Sequence, residues 1–198
     1  MVKEMPEFSL EALRAGDRTE FARLVEAYSG AIYRLALKML GRPQDAEDVL
    51  QNTFSKAFQH LKEFEGRSSL STWLYRIASN EALMILRKPH PEVTLTDTTP
   101  EDDDGDYAPS QFVDWCCLPE EEFLSSESRA TLDRAVQRLP TNLRIVFLLR
   151  DIEGLSIQET CQALDLSETA VKTRLLRARL RLRESLSAYY DERLKRKE

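Results

Sequence analysis

Between Pro91 and Ser128 the chain carries twelve acidic residues and not one Lys or Arg. The run includes TLTDTTPEDDDGDYAP, where prolines, Thr and Asp follow no apolar periodicity; it lacks the apolar surface to build a core and reads as a linker. It divides the 198 residues into two blocks that must each bury apolar surface. The same run changes the meaning of the charge. The whole chain is −6 at neutral pH, the remainder without the acidic run is +6, and from Ser167 to Glu198 ten bases stand against five acids. A basic, acidic, basic order keeps nucleic acid open as a partner despite the acidic total.

Both blocks read as helical. Asp17 and Glu20 suit a capped helix start, and Gly41 and Pro43 punctuate. A long helix follows from about Pro43 to Leu61, and another begins after Ser68 and Ser69 and runs to about Lys88. Helical patterns resume at Ser126, with no strand-type alternation and no internal repeat. The expected fold is all-α: two helical domains, residues 1–90 and 126–198, joined by an acidic flexible linker at 91–125, the C-terminal domain holding a helix-turn-helix.

The remaining composition narrows the function classes. No apolar run approaches the ~18 residues of a membrane span, and MVKEMPEFSL has no signal-peptide core. A cytoplasmic protein without membrane insertion of its own is expected. Cys116, Cys117 and Cys161 form no disulfide framework. Adjacent Cys116 and Cys117 without a nearby His are a poor ligand set, and neither a metal nor another cofactor is expected. His60 and His90 lack a nucleophile or ligand constellation, and the six glycines form no phosphate-cradling loop, which makes a catalytic role the weakest class.

The clearest motif is GLSIQETCQALDLSETAVKTRLLRARLRLR. Ser156 with Glu159 is a capping box, Asp165-Leu166-Ser167 makes the turn, and Ser167 can cap a second helix. At about 100° per residue, Val171, Leu175, Ala178 and Leu182 form one stripe for the core. Thr169, Thr173, Leu176 and Leu180 lie opposite, between Lys172, Arg179 and Arg183 on one edge and Arg174, Arg177 and Arg181 on the other. Cationic rails beside a middle of short polar and methyl-bearing residues suit a major groove: rails reach phosphates and the middle meets base edges. A solvated basic helix laced with ion pairs has the same composition, and the turn before it favours the groove.

Taken in order, FARLVEAYSGAIYRLALKMLG, DAEDVLQNTFSKAFQHLKEF, EGRSSLSTWLYRIASNEALMILRK, LPTNLRIVFLLRDIEGLS and the helix-turn-helix resemble the small, two-domain RNA polymerase sigma factors of the extracytoplasmic-function group. The resemblance covers nearly all of the chain except the linker. It implies a transcription initiation factor that binds core RNA polymerase through the clamp helices of its largest subunit and its flap, and that directs promoter recognition and strand opening. The segment DAEDVLQNTF would dock on the clamp, which makes Asp45, Glu47, Asp48, Gln51 and Asn52 the polymerase contacts, although members often carry an acid where Asn52 stands. Positions 44, 47, 48, 51 and 55 do share a helix face, as an ordinary solvated acidic face also would.

The resemblance also gives a purpose to STWLYRIASN. The loop before that helix and the helix itself would capture the non-template strand of the minus-ten element. An unpaired base calls for apolar or aromatic surfaces against its face, amide and hydroxyl groups at its edge and cations at its backbone. Phe64, Arg67, Ser68, Ser69, Thr72, Trp73, Arg76 and Asn80 supply that set, with Lys56 on the preceding helix; Trp73 equally suits a core position. For the minus-thirty-five duplex the implied readers are Thr169, Lys172, Thr173, Arg174, Leu176, Arg177 and Arg181. Members commonly have an apolar-Ala pair where this chain has Thr160-Cys161. An anti-sigma partner is implied as well. The acidic run matches the family's connector and, at about 35 residues, could extend to ~120 Å. A stand-alone helix-turn-helix regulator is the competing reading, and it leaves the acidic helix and the single-strand set without a purpose.

Overall fold

The computed structural model describes residues 8–87 and 126–195. The linker, His90, Cys116 and Cys117 lie outside them. All regular structure among the described residues is helical, as expected. Helix α1 (Leu10–Ala15) starts where the Ser9 hydroxyl accepts from the Ala12 amide, and it stops at Gly16, whose φ of 83° is left-handed. Helix α2 (Arg18–Leu40) is capped by Asp17, whose carboxylate accepts from the Thr19 and Glu20 amides at 2.7 and 3.1 Å. Helix α3 (Pro43–His60) has proline at its start and ends in a 3-10 turn, Leu61–Glu63. Helix α4 (Leu70–Arg87) follows a short loop, and the Ser69 hydroxyl accepts from the Thr72 amide at 3.1 Å.

Helices α2, α3 and α4 pack on one another around Leu24, Ile32, Leu35, Met39, Val49 and Leu74, none more than 1% exposed. In the second half, α5 (Ser126–Arg138) and α6 (Thr141–Phe147) lead through a π turn, Leu148–Ile152, to α7 (Ile157–Leu164) and α8 (Glu168–Lys195). The Ser156 and Glu159 capping box forms in both directions. The Ser156 amide holds the Glu159 carboxyl below the usual carboxylate range. That contribution is therefore present above the ordinary carboxylate pKa and is lost as pH falls through the lowered value. Asp165 takes the left-handed turn conformation at φ 56°, and the Ser167 hydroxyl accepts from the Ala170 amide at 3.2 Å. Val171, Leu175, Ala178 and Leu182 are buried, as their stripe required.

The two halves also touch. Helix α7 lies on α4, and α5 and α6 lie on the C-terminal end of α2. One continuous set of buried apolar side chains runs from Leu13 to Leu182 through both halves.

Candidate polymerase and nucleic-acid interfaces

Helix α3 buries Ala46, Val49, Thr53, Phe54 and Ala57. That leaves Glu47, Asp48, Gln51 and Asn52 exposed and Asp45 half-buried. The five expected polymerase contacts thus form one surface-facing patch. Asn52 sits in it with an amide among acids.

On the other side of the 3-10 turn, the expected single-strand residues separate by depth. Arg67, Ser69, Arg76 and Asn80 are exposed, and Ser68 and Trp73 are half-buried. Phe64 and Thr72 are buried, at 6% and 1% exposure. The Phe64 and Trp73 rings pack with centroids 5.0 Å apart, so Trp73 is partly a core residue and partly a surface one. Ser69 spends its hydroxyl on the α4 cap and on the hydroxyls of Ser71 and Thr72 at 2.9 and 2.7 Å. Arg67 pairs with Glu65. Lys56 binds Glu81 at 2.5 Å, and the Glu81 side chain is only 5% exposed.

Arg14 was not foreseen. Its Nε and Nη2 donate to the Phe64 carbonyl at 3.0 and 2.5 Å, which ties α1 to the base of the loop that carries Arg67, Ser68 and Ser69. The only local signal was a cation in the last turn of a short helix.

On α8, Thr169, Lys172, Leu176 and Arg181 are exposed, while Thr173, Arg174 and Arg177 are half-buried. Among the described residues, Leu176 is the most exposed large apolar side chain at 59%, between cations, where a thymine methyl could meet it. Lys172 pairs with Glu168 at 2.5 Å. Arg179 forks onto Asp151 of the π turn at 2.8 and 2.7 Å and so clamps α8 to the end of α6. The fully buried Thr160 keeps its hydroxyl satisfied by donating to the Ser156 carbonyl at 2.8 Å; a polar residue at this point in α7 therefore carries no unpaired group.

Residues 24–90 match the family described as Sigma-70 region 2, and residues 129–182 match Sigma-70, region 4. The ECF RNA polymerase sigma factor SigW of Bacillus subtilis (strain 168) is 35% identical over 177 residues, covering 89% of this chain and 94% of the relative. The chain belongs to the extracytoplasmic-function RNA polymerase sigma factors. The RNA polymerase sigma-H factor of Pseudomonas aeruginosa is 34% identical over 197 residues, covering 97% and 99% of the two chains. Among solved structures, CnrH in complex with the cytosolic domain of CnrY superimposes with a TM-score of 0.65 at 24% identity, covering 90% of this chain and 95% of that one. The sigma factor RpoE in complex with the anti-sigma factor NepR from Bartonella quintana gives 0.61 at 24% identity, covering 85% and 97%. These two share the fold of this sigma factor.

This protein is thus an alternative sigma factor that acts with RNA polymerase and promoter DNA to direct transcription initiation; it is not an enzyme. Region 2 contains α3, the loop and α4; region 4 contains the helix-turn-helix formed by α7 and α8. Helix α1 precedes the region 2 match. No helix among the described residues is long and apolar enough to cross a membrane.

Proposed function

We propose that the sigma factor divides promoter reading between two unlike surfaces, with residues 1–90 serving polymerase and the minus-ten strand, 126–198 serving the minus-thirty-five duplex, and 91–125 connecting them. The observation that carries this reading is the contrast between the exposed faces of α4 and α8. On α4, Arg76 and Asn80 stand exposed one helical turn apart beside Trp73, a cation and an amide next to an aromatic face. On α8, Thr169, Lys172 and Leu176 stand exposed on a basic helix that follows a turn. The acidic patch Asp45, Glu47, Asp48, Gln51 and Asn52 would dock on the clamp helices. The protein would work in the cytoplasm, where its polymerase is. The sigma factor RpoE, which shares this fold, has a structure in complex with the anti-sigma factor NepR, and we assign this chain a partner of that kind.

Two measurements test the assignments. Arg177→Ala should weaken minus-thirty-five binding by the holoenzyme by about 1–3 kcal/mol if the side chain reads a base, with specificity relaxed at one position. An equal loss on every sequence would mark a phosphate contact, and no loss would show that another face of α8 meets DNA. Arg14→Ala should leave polymerase affinity unchanged and slow strand opening, because the loop at Arg67, Ser68 and Ser69 loses its tether to α1. A promoter with a pre-melted bubble should recover much of the rate. Equal loss on both promoters would reduce Arg14 to a general support of the fold.

A further inference from the structure

Glu168 opens α8 and is the only acid on that helix before Glu184. Exposure along α8 runs through Glu168, Lys172 and Leu176, at i, i+4 and i+8, with Thr169 beside them. Each step advances about 40° around the helix, so the three form one shallow line about 12 Å long. Within it, the Lys172 ammonium stands 2.5 Å from the Glu168 carboxylate, and both side chains are more than half exposed. Arg179, the next cation on that side, is bound by Asp151.

A Glu and a Lys four residues apart support a helix, and a first-turn acid suits its dipole. Both effects exist without DNA. On DNA the same acid is unfavourable, because the first turn of a recognition helix lies closest to the base edges and phosphates repel a carboxylate on every sequence. Only a hydrogen-bond donor on the groove floor offsets that repulsion. In the major groove the donors are the amino groups of cytosine and adenine. The ammonium beside the carboxylate requires an acceptor next to that donor. A C·G pair presents the cytosine amino group next to O6 and N7 of guanine, the acceptors that lysine most often reads. An A·T pair puts the O4 and methyl of thymine there instead, a poorer partner for an ammonium.

We propose that Glu168 and Lys172 together read one C·G pair of the minus-thirty-five duplex, and that Leu176 reads a thymine methyl within about three base pairs of it. The carboxylate accepts from the cytosine amino group while the ammonium donates to guanine. At ~3.4 Å per step, a line of ~12 Å covers three to four base pairs, so both contacts fit one approach of α8. The salt bridge holds acceptor and donor side by side before DNA arrives, which limits the side-chain freedom lost on binding. The assignment rests on α8 being the duplex reader and adds to it a base pair, an orientation and a residue.

The test uses the holoenzyme and a panel of promoters in which each minus-thirty-five base pair is replaced in turn by the other three. The parent should show one position where C·G binds about 5- to 150-fold more tightly than the alternatives. Glu168→Ala should level that position and leave the ranking at every other one intact. Glu168→Gln, which keeps the shape, should move the preference there toward A·T, since an amide pairs with N6 and N7 of adenine. Leu176→Ala should level a thymine preference at a nearby position only. If Glu168→Ala changes binding by one common factor on all sequences, the acid acts through charge or helix support, and the proposal is overturned. A parent with clear preferences, none of which moves in either Glu168 variant, overturns it as well. A parent indifferent to every minus-thirty-five position ends the duplex-reader assignment of α8 itself, and this proposal with it.

Discussion

Asn80→Ala leaves the sigma factor folded and bound to core polymerase and lowers open-complex formation about 5- to 150-fold. Asn80 is exposed on α4, opposite the buried Ala78, Ser79 and Ala82, so its truncation costs the fold no more than about 0.5 kcal/mol. Its amide both donates and accepts, as the edge of a base that has left its pair requires. Loss of one such contact is worth about 1–3 kcal/mol, which is the range of rates given. Permanganate reactivity of thymines near the start site follows the opening directly. A pre-melted promoter should recover most of the activity, since unpairing has then been done in advance. Should the variant unfold or lose polymerase, Asn80 is a bracing amide, and strand capture moves to Arg67, Ser68 and Ser69.

The second large effect is on stability. Arg144 Nη1 donates to the Met39 carbonyl at 2.6 Å, Nη2 to the Gln137 carbonyl and to that of Leu139 at 2.8 Å, and Nε to Leu139 again at 3.3 Å. Burial makes the group less basic than an ordinary guanidinium, yet arginine keeps its proton. Arg144→Ala removes the donors and leaves carbonyls short of partners, at a cost of about 3–5 kcal/mol. The melting temperature, followed by circular dichroism, should fall by about 10 °C. Arg144→Lys should recover little, because a single ammonium cannot reproduce the planar fork. A melting temperature within a degree of the parent would show that water replaces these bonds without loss.

Neither Arg144 nor Arg14 stands out in the sequence, and the reason is distance along the chain. The caps at Asp17, Ser156 and Ser167, the stop at Gly41 and the stripe Val171, Leu175, Ala178 and Leu182 are relations within about a dozen residues. Helical periodicity and capping chemistry write those directly into the order of residues. Arg14 meets a carbonyl 50 residues away and Arg144 one 105 away; a backbone acceptor has no residue identity to advertise it. Burial in α4 and in the turn before it was hidden for a related reason. Thr72 and Phe64 carry groups that suit a base as well as a core, and only the packing against α7 and against Trp73 decides which side they serve. The outward positions Arg76 and Asn80 were legible because the neighbouring apolar residues claim the inner face.

The pairing of Lys56 with Glu81 has a consequence for anyone scanning this surface by mutation. A lysine facing DNA is ordinarily a clean probe, because its removal subtracts a contact and little else. Here the acid beneath it is nearly sealed from water, and alanine at Lys56 would strand a carboxylate in the interior. Such a variant would register as defective whether or not Lys56 ever touches a phosphate. Attribution therefore calls for a matched background in which Glu81 is made neutral first, with Lys56 removed second; what then remains of the defect belongs to DNA.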